Sequence, residues 1–473
     1  MNRLFSLILP IVFLLESGIL VLFARDGYDP GFVRVVYVSA MLLLVLQLVR
    51  GHLVGRKRSW IHIDVLFLLM FFFVHFWTWF VMDVGGIMDV WEVRRYLHSA
   101  NVAVAIAFLG MSAFVMAYNL ATPKGDVKAT FAVSSPGWRV LGLAMFFVGF
   151  VSWFLYFAIY GRAAFEGHYV GTSVGGIVAT SLYLVHTILT KLGVVAVLIS
   201  STPRTRWSPL SLLVYALMAA ILLSYLVQGD RSEFVFAAIV LLFAYDRYVK
   251  PISVKMSVAG ILGVALLMSA VQVARTAETR SLAGIYDVFV NDRSAVSVEA
   301  SADNIGQSGF VYLVAVSLVP KDIDFFKGEL KLHELAGVLP FLRRLVLPED
   351  AAPEFMTTSD FLTTVILGKN SATGTGTTIV ADLYIDFGVA GVVVGLALLG
   401  ALSRSLAERS VAENSPLVPI LFCFFAGVMA TLPRYSFLKV IRLLIWPLLI
   451  LWFAGKFVPR QQVAAPSTQA PVR

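Results

Sequence analysis

Charge is scarce in this sequence: Asp, Glu, Lys and Arg together make up 14% of 473 residues, against 59% apolar residues. A soluble chain of this length needs far more polar surface to cover its core. Cysteine is almost absent as well. Cys423 stands alone in the apolar run LFCFFAG, which excludes a disulfide framework and a cysteine-ligated metal. No Asp/His pair has metal-ligand spacing, so no metal or other cofactor is expected. The net charge of +8 is spread over short loops and builds no dense patch of the kind that binds nucleic acid. Anionic headgroups or a phosphorylated lipid suit that charge, which makes the lipid bilayer the expected partner.

What is plentiful is the apolar run of about 20 residues, the length a helix needs to cross roughly 30 Å of hydrocarbon. The runs do not alternate, so they are helices and not barrel strands. The sequence predicts an all-α polytopic membrane protein of about twelve transmembrane helices. They lie near 4–24, 32–49, 61–82, 100–120, 139–160, 175–200, 209–227, 233–249, 256–274, 384–403, 416–432 and 439–457. The first run follows only Arg3 and has no small-residue cleavage site, so it reads as a retained span. Lys and Arg concentrate in alternate short connections: Arg50, Arg56, Lys57 and Arg58; Lys124 and Lys128; Arg204 and Arg206; Arg247, Lys250 and Lys255. By the positive-inside rule these connections and both termini are cytoplasmic.

One connection departs from the pattern. Spans one to nine occupy 1–274 and spans ten to twelve occupy 384–458, with a small, Pro-containing tail at 459–473 that reads as disordered. Between them, 275–383 forms an outer-face segment too long for a simple link. Its stretches FVYLVAVSLVP (310–320) and LAGVLPFLRRLVLP (335–348) are too short or too interrupted by Pro to span. They read as short amphipathic helices lying against the membrane or dipping into it.

Basic residues on the outer side run against the positive-inside trend. They are Arg94 and Arg95 after span three, Arg162 after span five, Arg231 between spans seven and eight, and Arg275 and Arg280 after span nine. Arg434, Lys439 and Arg442 follow between spans eleven and twelve. Guanidinium groups bind phosphate oxygens bidentately, so an anionic substrate gives them a role; headgroup contact or snorkelling is the plain alternative. The hairpin QGDRSEF (228–234) sets Asp230 and Glu233 about Arg231, where a carboxylate can bind near phosphate and take a proton from a sugar hydroxyl. The alternative is a solvated turn in which Glu233 favours a helix start. Downstream, GTGTTIVADLYIDFGVAGVVVG (374–395) places Asp382 and Asp386 at i, i+4 on one helix face. Like charges so spaced repel, which suits a proton acceptor, whereas the bland reading is a wet helix end. His168, His75, His186, Glu16 and Asp64 carry weaker signals.

Three features together resemble the O-antigen and capsule repeat-unit polymerases, the Wzy family, with weaker similarity to O-antigen ligases. They are the GxR-type turn (Gly229, Asp230, Arg231), the large outer loop between late spans, and the Gly-rich run into ADLYIDFGVAGVVVG. The resemblance implies a metal-independent glycosyltransferase of the bacterial inner membrane with a GT-C-like layout. It implies undecaprenyl-pyrophosphate oligosaccharides as substrates, en bloc transfer at the periplasmic leaflet, and a flippase and a chain-length regulator as partners. In that reading Arg231, Arg434, Arg442, Arg275, Arg280, Arg94 and Arg95 bind pyrophosphate, and the base is one of Asp230, Glu233, Asp382 and Asp386. A ligase-like transferase is one competing expectation. A transporter or flippase is another, but no internal repeat supports it.

Overall fold

The computed structural model describes residues 2–53, 61–85, 91–120, 135–166, 177–228, 230–276, 286–288, 290, 296–297, 305–338, 355–369, 371, 374–412 and 415–458. Among them every regular element is a helix. The chain runs through α1 (Asn2–Phe23), α2 (Pro30–Leu53), α3 (Ile63–His75), α4 (Trp77–Asp83) and α5 (Trp91–Tyr96). Then come α6 (Ala100–Leu120), α7 (Pro136–Glu166), α8 (Ile177–Ser200) and the single turn α9 (Pro203–Arg206). α10 (Pro209–Val227), α11 (Arg231–Tyr248) and α12 (Val254–Thr276) complete the first part. The long connection contributes α13 (Phe310–Leu318), α14 (Glu329–Val338) and α15 (Thr358–Leu367), ahead of α16 (Ile379–Ala412), α17 (Leu417–Thr431) and α18 (Lys439–Gly455). Helix starts follow local chemistry. Pro occupies the first position of α2, α7, α9 and α10, where its missing N–H is no loss, and the side chains of Thr202, Ser208, Asp230 and Thr357 cap α9, α10, α11 and α15.

Among the described residues, eight helices are long and apolar enough to cross a membrane: α2, α6 with the turn before it, α7, α8, α10, α12, α16 and α17. α3 and α4 meet at a 49° bend and make a ninth crossing if they form one span. α11 and α18 stand where spans eight and twelve are expected, yet fall short of a full apolar crossing. α18 has 17 residues, and the 18 residues of α11 include Arg231, Glu233, Asp246 and Arg247, while the 22-residue α1 stands where span one is expected. By length and composition, then, the described residues account for eight or nine of the twelve expected crossings.

With lipid on the outside, close approach of small residues takes over much of the work of holding helices together. A Cβ on Gly193 of α8 would lie 2.4 Å from the Phe146 amide nitrogen of α7, and one on Gly400 of α16 would lie 2.3 Å from the Phe114 carbonyl oxygen of α6. α6 and α17 are buried along most of their length and form the centre of the bundle. The long connection enters this core. Val311 to Ser317 of α13 are all buried, because α13 is apolar all round and has no polar face to present. Tyr312 reaches the α3–α4 bend, where its hydroxyl donates to the His75 carbonyl (3.0 Å) and accepts from Trp79 Nε1 (2.8 Å). A bend frees carbonyls that a straight helix would satisfy, and the tyrosine takes one of them. Of the two outlying helices expected, 310–320 thus dips into protein, and 335–348 is described only as far as Val338.

Candidate active site

The site grows from a break in α16. Thr378 Oγ1 caps the start of that helix by accepting from Ala381 N (3.2 Å), and the approach is tied to α15 by Thr375 N donating to Thr363 Oγ1 (3.1 Å). At Gly388 the backbone leaves helical geometry (φ 64°, ψ −155°), in a region open essentially to glycine. The carbonyls just before the break find donors elsewhere: Ile385 O accepts from Phe326 N (3.2 Å) and Asp386 O from Lys327 N (3.0 Å). Gly328 N donates to Asp386 Oδ1 (3.1 Å), so the strand of chain leading into α14 lies along the break.

Lys331, in the first turns of α14, then reaches both acids of α16. Its ammonium is 2.7 Å from Asp382 Oδ1 and 2.8 Å from Asp386 Oδ2, and both carboxylates are fully buried. Thr358 Oγ1 donates to Asp382 Oδ1 (2.7 Å) and Phe437 N to Asp382 Oδ2 (2.7 Å). The expected like-charge repulsion is therefore met by one shared cation. Burial alone would lower the Lys331 pKa; the two carboxylates outweigh it and hold the ammonium above the usual lysine value.

A second cluster forms at the 228–234 hairpin. Asp230 caps α11: its Oδ1 accepts from Glu233 N (3.2 Å) and Ser232 Oγ (3.0 Å), and its Oδ2 accepts from Tyr183 OH (3.0 Å). Glu233 is ion-paired with Lys191, a residue of α8 whose side chain is 3% exposed. The Lys191 ammonium also lies over the rings of Phe236 (5.0 Å) and Tyr225 (5.8 Å).

The turn between α17 and α18 joins the two clusters. Its Phe437 amide holds Asp382, and its Ser436 hydroxyl donates to Glu334 Oε1 of α14. Lys439, over the Tyr435 ring, interacts electrostatically with Glu233, Asp230, Arg442 and Arg434. Arg442, exposed to solvent, interacts with Glu334 as well. Burial pushes Glu334 up to about pKa 7, helped by the Asp382 charge and opposed by the Ser436 hydrogen bond and by Lys331 and Arg442. Lys439 thus faces carboxylates of the hairpin and Arg442 one of α14, with Arg434 next to Lys439.

A family model described as O-antigen polysaccharide polymerase Wzy matches residues 4–458, nearly the whole chain. The chain belongs to the Wzy O-antigen polymerase family. No curated protein and no solved structure matches it. For a Wzy polymerase, the structure brings together seven of the residues singled out from sequence: Asp230, Glu233, Asp382, Asp386, Arg434, Lys439 and Arg442. Arg231 begins α11 beside them, half-buried. Arg94 and Arg95 are exposed on α5, with Arg95 over the Tyr96 ring, and neither pairs with a carboxylate of these clusters among the described residues. Gly229, His168, Arg280 and the side chains of Arg162 and Arg275 lie outside the described residues.

Sequence reasoning passed over Lys331, Glu334, Thr358 and Ser436, which carry no motif of their own. It also passed over Lys191, for which a signal existed. A lysine fifteen residues into the 24-residue apolar helix α8 is an intramembrane charge, and such charges mark partners or pathways.

Proposed function

We propose that this Wzy-family chain joins oligosaccharide repeat units carried on undecaprenyl pyrophosphate into long polysaccharide at the periplasmic leaflet of a bacterial inner membrane. The growing chain moves en bloc onto a sugar hydroxyl of the incoming unit, and undecaprenyl pyrophosphate departs. The observation that carries this reading is the gathering of Lys439 and Arg442, with Arg434 next to Lys439, at the carboxylates of the hairpin and of α14, in a chain of this family.

A departing diphosphate develops charge that needs preorganised cations, and Arg231, Arg434 and Arg442 supply guanidinium groups at the right end of the bundle. The clamp of Lys331 on Asp382 and Asp386 fixes α14 against α16, so that the turn and the helix face each other in one geometry. The packed connection keeps water from competing with the sugar hydroxyl. On this reading the clustered end is periplasmic, both termini are cytoplasmic, and Arg94, Arg95, Arg275 and Arg280 contact substrate headgroups farther from the reacting atoms. A flippase delivers the units and a chain-length regulator sets when growth stops.

The test is the ladder of polysaccharide lengths made by purified protein from lipid-linked repeat units. Arg434→Ala and Arg442→Ala should each slow growth by about 10²–10³-fold, the usual worth of one charge-stabilising donor, with protein level in the membrane unchanged. Arg231→Lys should rescue poorly where Arg231→Ala is inactive, because an ammonium lacks the bidentate fork. Wild-type ladders from all three Ala variants would remove the pyrophosphate clamp, and a wild type that joins no lipid-linked units would remove the polymerase reading.

A further inference from the structure

Resting on the polymerase reading, we propose that Glu334 is the group that takes the proton from the acceptor sugar hydroxyl. Five carboxylates gather where α11, α14, α16 and the α17–α18 turn meet, and four of them are already engaged. Asp382 and Asp386 share Lys331 and hold neutral donors besides. Glu233 is paired with Lys191, and Asp230 is spent on the α11 cap and on Tyr183.

Glu334 differs. Its Oε1 accepts from Ser436, while its Oε2 is buried and has no hydrogen-bond partner among the described residues. A buried carboxylate oxygen without a donor is unfavourable, and a sugar hydroxyl brought to it supplies the donor. The charges that face Glu334 are Asp382 from α16, Lys331 from its own helix and Arg442 from α18. Glu334 thus borders Arg442, one of the cations assigned to the pyrophosphate. Burial, reinforced by Asp382, pushes its pKa up to about 7, so the group changes charge where a general base is most effective.

The step balances as follows in atoms and charge. The acceptor O–H gives its proton to the Glu334 carboxylate, and its oxygen bonds to the anomeric carbon of the donor chain. The bond from that carbon to the phosphate oxygen breaks, and its electron pair leaves on the lipid pyrophosphate. Glu334 then releases the proton to solvent.

The experiment measures chain growth against pH with the full-length protein in lipid vesicles, supplied with lipid-linked repeat units. The base form of Glu334 exists above its pKa, so the wild-type rate should rise with pH through about 7 and then level off. Glu334→Gln should reach the membrane at normal yield, lose about 10²–10⁴-fold in rate and lose that rising limb. Glu334→Asp should keep a limb at reduced rate. Ser436→Ala removes a hydrogen bond that favours the charged form, so its limb should move to higher pH, a shift that a purely structural glutamate would not give. A Glu334→Gln enzyme at the wild-type rate, a slower one with the limb intact, or a limb unmoved in Ser436→Ala would each overturn the assignment. A wild type inactive on lipid-linked units at every pH would instead overturn the polymerase reading, and the assignment with it.

Discussion

Lys331→Met asks whether charge holds the long connection to the membrane bundle. In the native protein the ammonium lies 2.7 Å from Asp382 and 2.8 Å from Asp386, with side-chain exposures of 11%, 0% and 0%. Methionine keeps the reach and removes the charge, leaving two buried carboxylates one helical turn apart without their shared cation. Removing one partner of a buried ion pair costs about 3–5 kcal/mol. Here the acids keep neutral donors, Thr358 and Phe437 N on Asp382 and Gly328 N on Asp386, so the low end applies, about 3 kcal/mol. That amounts to a factor on the order of 100 in a local opening equilibrium. Hydrogen exchange reads it directly at the amides of Phe326, Lys327 and Gly328, which bond to α16. They should exchange on the order of 100-fold faster in Lys331→Met, while α6 and α17 keep their protection. Adding Asp382→Asn and Asp386→Asn to Lys331→Met removes the uncompensated charge and should return most of the protection. The reasoning fails if Lys331→Met exchanges like wild type, or if the triple variant exchanges as fast as the single one.

Two further outcomes concern the frame around the site. Lys191→Met should lower thermal stability in detergent by about 1–3 kcal/mol, less than a fully buried pair because Glu233 is 26% exposed, and adding Glu233→Gln should recover part of it; an equal loss in the double variant would mean that packing, not the ion pair, matters. Gly388→Ala should destabilise by about 1–3 kcal/mol, since φ is +64° and a Cβ would meet the Phe325 ring at 3.2 Å, and an unchanged melting temperature would show that the break in α16 tolerates a side chain.

The membrane class was legible because lipid leaves no other solution: scarce charge and apolar runs of spanning length admit only helices. The acids of α16 were legible for a similar reason, since i, i+4 spacing places Asp382 and Asp386 on one face before any tertiary contact is known. Their partner was not. Lys331 lies 51 residues from Asp382, in a helix ELKLHELAGV whose mixed charges look like any solvated surface. Its burial follows from a turn at Lys327 and Gly328, both at positive φ, that lays the chain along a break at Gly388. Nothing in GVAGVVVG announces that break, because the same residues continue a helix equally well. The α13 segment shows another case: 310–320 reads from sequence as an amphipathic helix on or in the membrane, but FVYLVAVSL is apolar on every side, and Val311 to Ser317 are buried in protein. A periodic pattern reports the face an element buries, but an ion pair between elements reports their mutual placement, which is set where connections turn. Both clusters here are built at such turns, one at 327–328 against 388 and one at 228–230 against 432–439. The first therefore showed from sequence only its two acids on α16 and hid Lys331, whereas the second showed Asp230, Glu233, Arg434, Lys439 and Arg442 and hid Lys191 of α8.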